Sequence, residues 1–244
     1  GKYLRRLKNN KLFYDFVYDN SGKKYVLDVH NMRKESSGDG TGFYSILIKN
    51  KKGKVISKQL KKHSKVSGYM SSKNLSVSGE DVLFNEPYTN IIYRIDEKEA
   101  TPRFKMAFED KEIPEKKYKD FTVFKEEIAA NNYSYLFNVA GYSIINNVLL
   151  FTVKQYKYPI RYLYSLDTRK LYSINGFKDY ATLGFGFNGQ HVGSYKKYAI
   201  NYLQPDWIKG TEGNYTSEKM KQFIKDTKPT DNPILIFNKL RDDL

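Results

Sequence analysis

The sequence predicts an all-β chain built from repeated four-stranded meanders. Three features carry that prediction. Tyr and Phe, 22 and 15 of 244 residues, supply much of the 40% apolar content, a composition suited to pleated, half-buried surfaces rather than helices. From Phe13 onward, short apolar or alternating runs are separated by turn residues. The same order of runs then recurs along the chain.

The first meander starts at FYDFVYD (13–19), passes the turn Asn20-Ser21-Gly22 and returns as KKYVLDVH (23–30). After the Gly-rich stretch ESSGDGTG (35–42), FYSILIKN (43–50) turns at Lys51-Lys52-Gly53 into KVISKQL (54–60). The second comprises NLSVSGE (74–80), DVLFNEP (81–87), NIIYRID (90–96) and PRFKMAF (102–108), with an acidic turn at Glu97 to Glu99. The third, the most regular, is YSYLFNVAGY (133–142), NNVLLFTVK (146–154), RYLYSLD (161–167) and KLYSING (170–176), its last turn at Thr168-Arg169. A fourth, less regular group runs GFGFNG (184–189), HVGSYKKYAINYL (191–203), a polar loop and NPILIFNKL (232–240).

Meanders repeating at roughly 45–60 residues are the pattern of β-propeller blades. A β-sandwich also uses short strands between turns, but the recurrence favours the propeller. The whole chain, residues 1–244, is read as one propeller domain. Two segments depart from the β pattern. EKKYKDFTVFKEEIAANN (115–132) places Phe121, Phe124 and Ile128 at helical spacing, and Asn131-Asn132 provides a stop. In SEKMKQFIKDTKP (217–229), Ser217 is an N-cap candidate and Met220, Phe223 and Ile224 form one apolar stripe before Pro229. Both are expected to be short helical insertions.

Several strings resemble a six-bladed β-propeller family common among lipoproteins of Bacteroidetes and similar in appearance to NHL-type propellers. The closing run DNPILIFNKL (231–240), preceded by a Lys-rich helix, is similar to that family's last strand. NEPYTNIIYRIDEKEATPRFKMAFEDKEIPEK (85–116) resembles its repeating unit, and GKYLRRLKNNKLFYDFVYDNSGKKYVL (1–27) resembles its passage from an outer strand into the next inner strand. The resemblance implies six blades where four are countable, so either about two amino-terminal blades lie outside the chain or the ring is smaller or incomplete. Tyr3 to Leu7 are expected to add an outer strand beside residues 232–240. The resemblance also implies a periplasmic or outer-membrane location, with peripheral membrane attachment through a lipid anchor that this chain does not contain.

Charge and composition narrow the function classes. Forty-two Lys and Arg against 27 Asp and Glu give +15, and a positive surface attracts anionic polymers or headgroups while also keeping a protein soluble. The lysines are dispersed, in KNNK (8–11), KNKKGK (49–54), KQLKKHSK (58–65) and between Lys111 and Lys119. No face or helix concentrates them as specific nucleic-acid binding requires. The absence of cysteine excludes disulfides, thiol nucleophiles and thiolate metal sites. No apolar run reaches the length of a membrane span, and GKYLRRLKNN lacks the apolar core of a signal peptide.

No metal or cofactor motif is present. His30, His63 and His191 share no zinc spacing, ESSGDGTG lacks the Lys-Ser/Thr of a phosphate loop, and Asp19, Asn20, Glu35 and Asp39 reproduce no calcium loop. No Gly-x-Ser-x-Gly elbow occurs. Gly193-Ser194 near His191 lies in a strand, whose adjacent side chains point to opposite faces. Glu109-Asp110 and Glu126-Glu127 are local carboxylate pairs whose spatial partners the sequence does not reveal. No catalytic set emerges. Propellers gather loops around a central opening, where aromatic and polar groups converge on ligands. The candidate ligand contacts are Tyr88 and Asn90 in NEPYTN, Tyr156 and Tyr158 in KQYKYP, and Gln204, Asp206 and Trp207 in QPDW. Aromatic rings beside amides and carboxylates suit a carbohydrate, or equally a protein partner; the alternative for the same rings is loop packing. The reading is therefore a non-catalytic extracytoplasmic binding or scaffold module. Its competitors are a carbohydrate-active hydrolase or lyase and a charge-driven adhesin.

Overall fold

The computed structural model describes residues 15–18, 24–28, 44–61, 74–86, 89–112, 126, 135–155, 158–174, 190–209 and 218–240. These residues form fifteen strands in four sheets, with short helices late in the chain. The first sheet is β1 (Asp15–Tyr18), β2 (Lys24–Asp28), β3 (Tyr44–Asn50) and β4 (Val55–Lys61), and the second is β5 (Leu75–Ser78), β6 (Asp81–Asn85), β7 (Ile91–Ile95) and β8 (Ala100–Lys105). The third is β9 (Leu136–Ile145), β10 (Val148–Gln155), β11 (Tyr158–Ser165) and β12 (Leu171–Ile174). In each, consecutive strands are neighbours, so each is a meander. The fourth sheet contains β13 (Gln190–Tyr195), β14 (Tyr198–Leu203) and β15 (Ile234–Lys239). The chain divides into two compact units, residues 1–140 with 152–159, and residues 141–151 with 160–244.

In the first unit, cross-strand register turns alternation into a core. Val17 lies opposite Val26, and Val26 opposite Ile48, so one face of the first sheet carries a row of β-branched side chains. The second sheet carries two parallel rows: Val77, Val82, Ile95 and Ala100 in one, Leu75, Phe84 and Tyr93 in the other. These rows pack together, with Val26, Ile46, Ile48, Leu75, Val82, Phe84 and Ile95 buried. Branched and aromatic residues facing one another across strands contribute both pair contacts and buried area. Val82, Leu83, Phe84 and Asn85 are buried in succession, so both faces of β6 are covered.

In the second unit, Ile145, Val148, Leu150 and Leu163 of the third sheet pack with Ala199 and Leu240. Phe151 stacks on Tyr162 with ring centroids 5.3 Å apart. A second core forms where Leu203, Ile208 and Ile224 meet, with Ile234 and Ile236 beside them. Ile208 belongs to α1 (Pro205–Lys209) and Ile224 to α2 (Glu218–Asp226).

The turns share a device. At the junction of the third and fourth strands of each four-stranded sheet, a short polar side chain receives backbone N–H groups. Asn50 Oδ1 accepts from Lys52 and Lys54 at 3.0 and 3.1 Å, Asp96 Oδ1 from Lys98 and Glu99 at 2.8 and 3.0 Å, and Ser165 Oγ from Thr168 at 3.2 Å. Such side-chain turns let a hairpin reverse without orphaning its amides. Gly53, at φ +81°, supplies the left-handed residue in the first of them.

Several expectations change. Asn146 and Asn147, read as the start of a strand, are the two-residue turn between β9 and β10, both left-handed at φ 47° and 59°. Asn tolerates that conformation and two such residues make a hairpin turn matching strand twist. HVGSYKKYAINYL is two strands, because Lys196, at φ 51°, and Lys197 reverse the chain. Pro205 to Trp207 are not a loop, although Gln204 before them is: Pro205 opens α1, as its fixed φ and missing N–H favour at a first helical position. Tyr158 begins β11 rather than sitting in a loop. In α2, Ile224 is buried but Phe223 is exposed, so the expected single stripe is narrower. The expected strand at 184–189, the pairing of Tyr3 to Leu7 and the helix at 115–132, apart from Glu126, lie outside the described residues.

Replacing Phe84 by Ala in the first-unit core is expected to cost about 3–5 kcal/mol, read by urea denaturation. The matching change at exposed Phe223 is expected to cost under about 0.5 kcal/mol.

Candidate functional site

A densely bonded polar cluster lies where β6 ends and β7 begins. Asn85, the last residue of β6, is fully buried. Its Nδ2 donates to the carbonyls of Thr89 at 3.0 Å and Ile91 at 2.7 Å, clasping the backbone on both sides of Asn90. The Thr89 hydroxyl and N–H both donate to the Glu86 carbonyl, at 2.8 and 3.0 Å. The Met106 N–H donates to the Asn90 carbonyl at 2.9 Å, tying the same loop to the chain beyond β8.

The cluster extends to the first sheet. Ser45, buried in β3, donates its hydroxyl to Glu86 Oε1 at 2.7 Å. A hydroxyl donor holds the half-buried carboxylate in one orientation, and leaving such a group without a partner costs on the order of 1–3 kcal/mol. Farther along the same pair of sheets, Gln59 Nε2 donates to the Asp96 carbonyl at 2.8 Å, and Lys24 pairs with Glu97. Two acceptors in the loop, Asn85 Oδ1 and Asn90 Oδ1, are buried with no hydrogen-bond partner among the described residues. Buried acceptors are ordinarily satisfied, so these two leave capacity for a hydroxyl or N–H donor.

Burial pushes the Tyr93 phenol above its ordinary value of 10.0, and the nearby Glu86 carboxylate pushes it the same way. The Asp96 carboxyl moves oppositely, held low by hydrogen bonds from the Glu99 and Lys98 backbone. That direction suits a turn-forming carboxylate; a general acid needs the reverse.

Of the predicted contacts, Asn90 lies inside this loop. Tyr88 and Tyr156 lie outside the described residues, and Tyr158 is the first residue of β11. Half-buried Gln204 precedes α1, and exposed Asp206 and the backbone of Trp207 lie in its first turn, in the other compact unit. Sequence reading missed Asn85, Glu86 and Ser45. The available signals were Ser45, a hydroxyl within the apolar run FYSILI, and Asn85, an amide closing the apolar run DVLFN. Among the described residues, no three His, Cys, Asp or Glu side chains gather as a metal centre would require. Nor is any described helix long and apolar enough to cross a membrane.

Residues 1–199 match a protein family described as "6-bladed beta-propeller". The fold is similar to the crystal structure of a "Putative exported protein" from Bacteroides fragilis NCTC 9343, with a TM-score of 0.67 at 19% identity over 96% of this chain. The chain spans 66% of the length of that protein. Among curated proteins, none matches the chain.

A raised phenol pKa favours the folded protein while Tyr93 stays protonated. That contribution is complete below the ordinary phenol value and is lost as pH rises through the higher folded value. Tyr93→Phe is therefore expected to lose less stability than the parent as pH climbs past about 10, measured by urea melts across the alkaline range. Parallel losses in both proteins would show that Tyr93 is not the titrating group.

Proposed function

The chain belongs to the 6-bladed beta-propeller family, and from that premise we propose that it is a non-catalytic extracytoplasmic binding or scaffold module for a glycan or protein partner. The observation that carries this reading is the loop from Asn85 to Asn90. Its described flanks, residues 85–86 and 89–91, are tied together by the Asn85 amide and the Thr89 hydroxyl, and the amide oxygens of Asn85 and Asn90 have no hydrogen-bond partner among the described residues. A loop ordered before its partner arrives loses little conformational entropy on binding, which is the main advantage of preorganisation. The half-buried Asn90, rather than the fully buried Asn85, is the amide that a sugar hydroxyl or a peptide N–H reaches after a small side-chain rotation.

The extracytoplasmic placement follows the exported description of the Bacteroides fragilis neighbour. Periplasmic or outer-membrane residence, with a lipid anchor outside residues 1–244, completes the proposal. The lysine excess adds attraction toward anionic surfaces and makes any such association weaken with salt.

A glycan array and a peptide display screen, each followed by thermal-shift titration, test the reading. Asn90→Ala is expected to weaken the partner found by about tenfold, the loss of roughly one hydrogen bond. Lys219→Ala, on an exposed position of α2 in the other unit, is expected to leave it unchanged. Turnover of glycans or esters by the purified protein, abolished by a single carboxylate substitution, would contradict the proposal and favour a hydrolase or lyase.

A further inference from the structure

Each four-stranded sheet ends, in chain order, on an edge strand, and the three edges are unlike one another. An open edge offers backbone N–H and C=O groups to any extended chain, and proteins blunt it with bulges, lysines or proline. In β4 the register slips between Ile48 and Lys49, which leaves Ile56 as an extra residue, and Lys58 and Lys61 stand exposed. In β8 the blocking residue is Pro102. The Asp96 N–H donates to the Glu99 carbonyl at 3.2 Å, and bonded pairs alternate with non-bonded ones along an antiparallel ladder, so Pro102, opposite Tyr93, sits where an N–H would face outward. Exposed Arg103 and Lys105 follow it.

The strand β12 carries none of these devices. Its residues Leu171, Tyr172, Ser173 and Ile174 include no charge and no proline, and they pair with β11 without a register shift. The Ser165 N–H donates to the Lys170 carbonyl at 3.0 Å, which makes Tyr172 and Ile174 the residues bonded to β11 and turns the N–H and C=O of Leu171 and Ser173 outward. Leu171 and Tyr172, on opposite faces of the strand, are 57% and 38% exposed. Arg169 and Lys170, both exposed, flank the start of the strand, while the nearby Asp167 already accepts from the Asn147 amide.

We infer that the outer edge of β12 docks an extended acidic segment of a partner protein, added antiparallel as a fifth strand of the third sheet. The outward N–H and C=O of Leu171 and of Ser173 supply the main-chain hydrogen bonds, and exposed Leu171 and Tyr172 supply side-chain contacts on the two faces, the division of labour by which strand addition recognises peptides. Charge selects the occupant. Antiparallel addition sets the carboxyl-terminal end of the added strand beside Arg169 and Lys170, so its acidic residues belong there. A chain at +15 repels a second copy of itself and attracts an acidic partner. The edge lies in the other compact unit from the Asn90 loop, and the inference does not rest on that loop.

Fluorescence anisotropy with a labelled, end-capped peptide of alternating Thr and Val that closes on Asp-Glu tests the edge. It is expected to bind about tenfold more tightly than the same peptide closing on Lys-Lys, with the difference shrinking as salt is added. Ser173→Pro, which deletes an outward N–H and leaves the bonds to β11 in place, is expected to weaken binding about tenfold, whereas Ser173→Ala leaves it unchanged because the backbone is what is read. N-methylating the pairing amides of the peptide is expected to give the same loss on the unaltered protein, free of any effect of proline on folding. Asn90→Ala is expected to leave peptide binding intact, so failure at this edge is distinguishable from failure at the loop. Absence of binding, equal affinity for the acidic and basic peptides, or equal affinity of Ser173→Pro and the parent would overturn the inference. A dimer in sedimentation velocity that Ser173→Pro dissociates, without peptide binding, would assign the edge to a second copy and overturn it equally.

Discussion

Face-to-face packing of one sheet on another is the constraint on which the rest of this chain depends. A four-stranded meander with apolar side chains on both faces has no stable existence in water alone, because each exposed face forfeits about 25 cal/mol for every Å² of apolar surface left wet. Val17, Val26 and Ile48 answer this for one face of the first sheet by meeting Val82, Phe84 and Ile95 of the second. Leu163, Leu150 and Ala199 do the same in the second unit. The run of four buried residues in β6 follows from that arrangement, since a strand covered on both sides loses the clean polar alternation of a one-sided sheet.

The polar features are arranged around this packing. Ser45 to Glu86, Gln59 to the Asp96 carbonyl and Lys24 to Glu97 are three links between the first two sheets, and each sits at the margin of the apolar rows. Hydrogen bonds of this kind add modest net stability but are orientation-specific, so they fix how two apolar faces register where apolar contact alone would tolerate sliding. The same logic applies at Asn85, whose buried amide donates to two carbonyls and so ties Thr89 and Ile91 to the end of β6. Binding loops work well in that setting because the scaffold supplies their order.

Much of the fold was legible from residue order. Strands such as DVLFN, NIIYRID and NPILIFNKL announce themselves by branched and aromatic residues between turn formers, and Gly53 and Glu97 to Glu99 mark reversals correctly. Reading failed where chemistry gave no local sign. Lysines carry no turn preference, so Lys196-Lys197 hid a hairpin inside what looked like one long strand. The pair Asn146-Asn147 was visible but was absorbed into the following apolar run. A five-residue helix such as α1 is too short to show periodicity, which left only Pro205 as its marker. The site was less legible still. Asn90 is suggested by its loop in the sequence, but Ser45 and Glu86 lie 41 positions apart and meet only because two sheets stack. No spacing rule predicts such a pair.

Through the rows at Ile48 and Phe84, the first and second sheets are expected to stabilise one another as a single cooperative body. Native-state hydrogen exchange on Ile48→Ala tests it most directly, since Ile48 lies in the first sheet and is almost wholly buried against the second. Interdependence predicts that amides of β6 and β7 lose protection by the same factor as those of β2 and β3. Loss confined to β2 and β3, with β6 and β7 unchanged, would show that the sheets stand independently and would contradict the account.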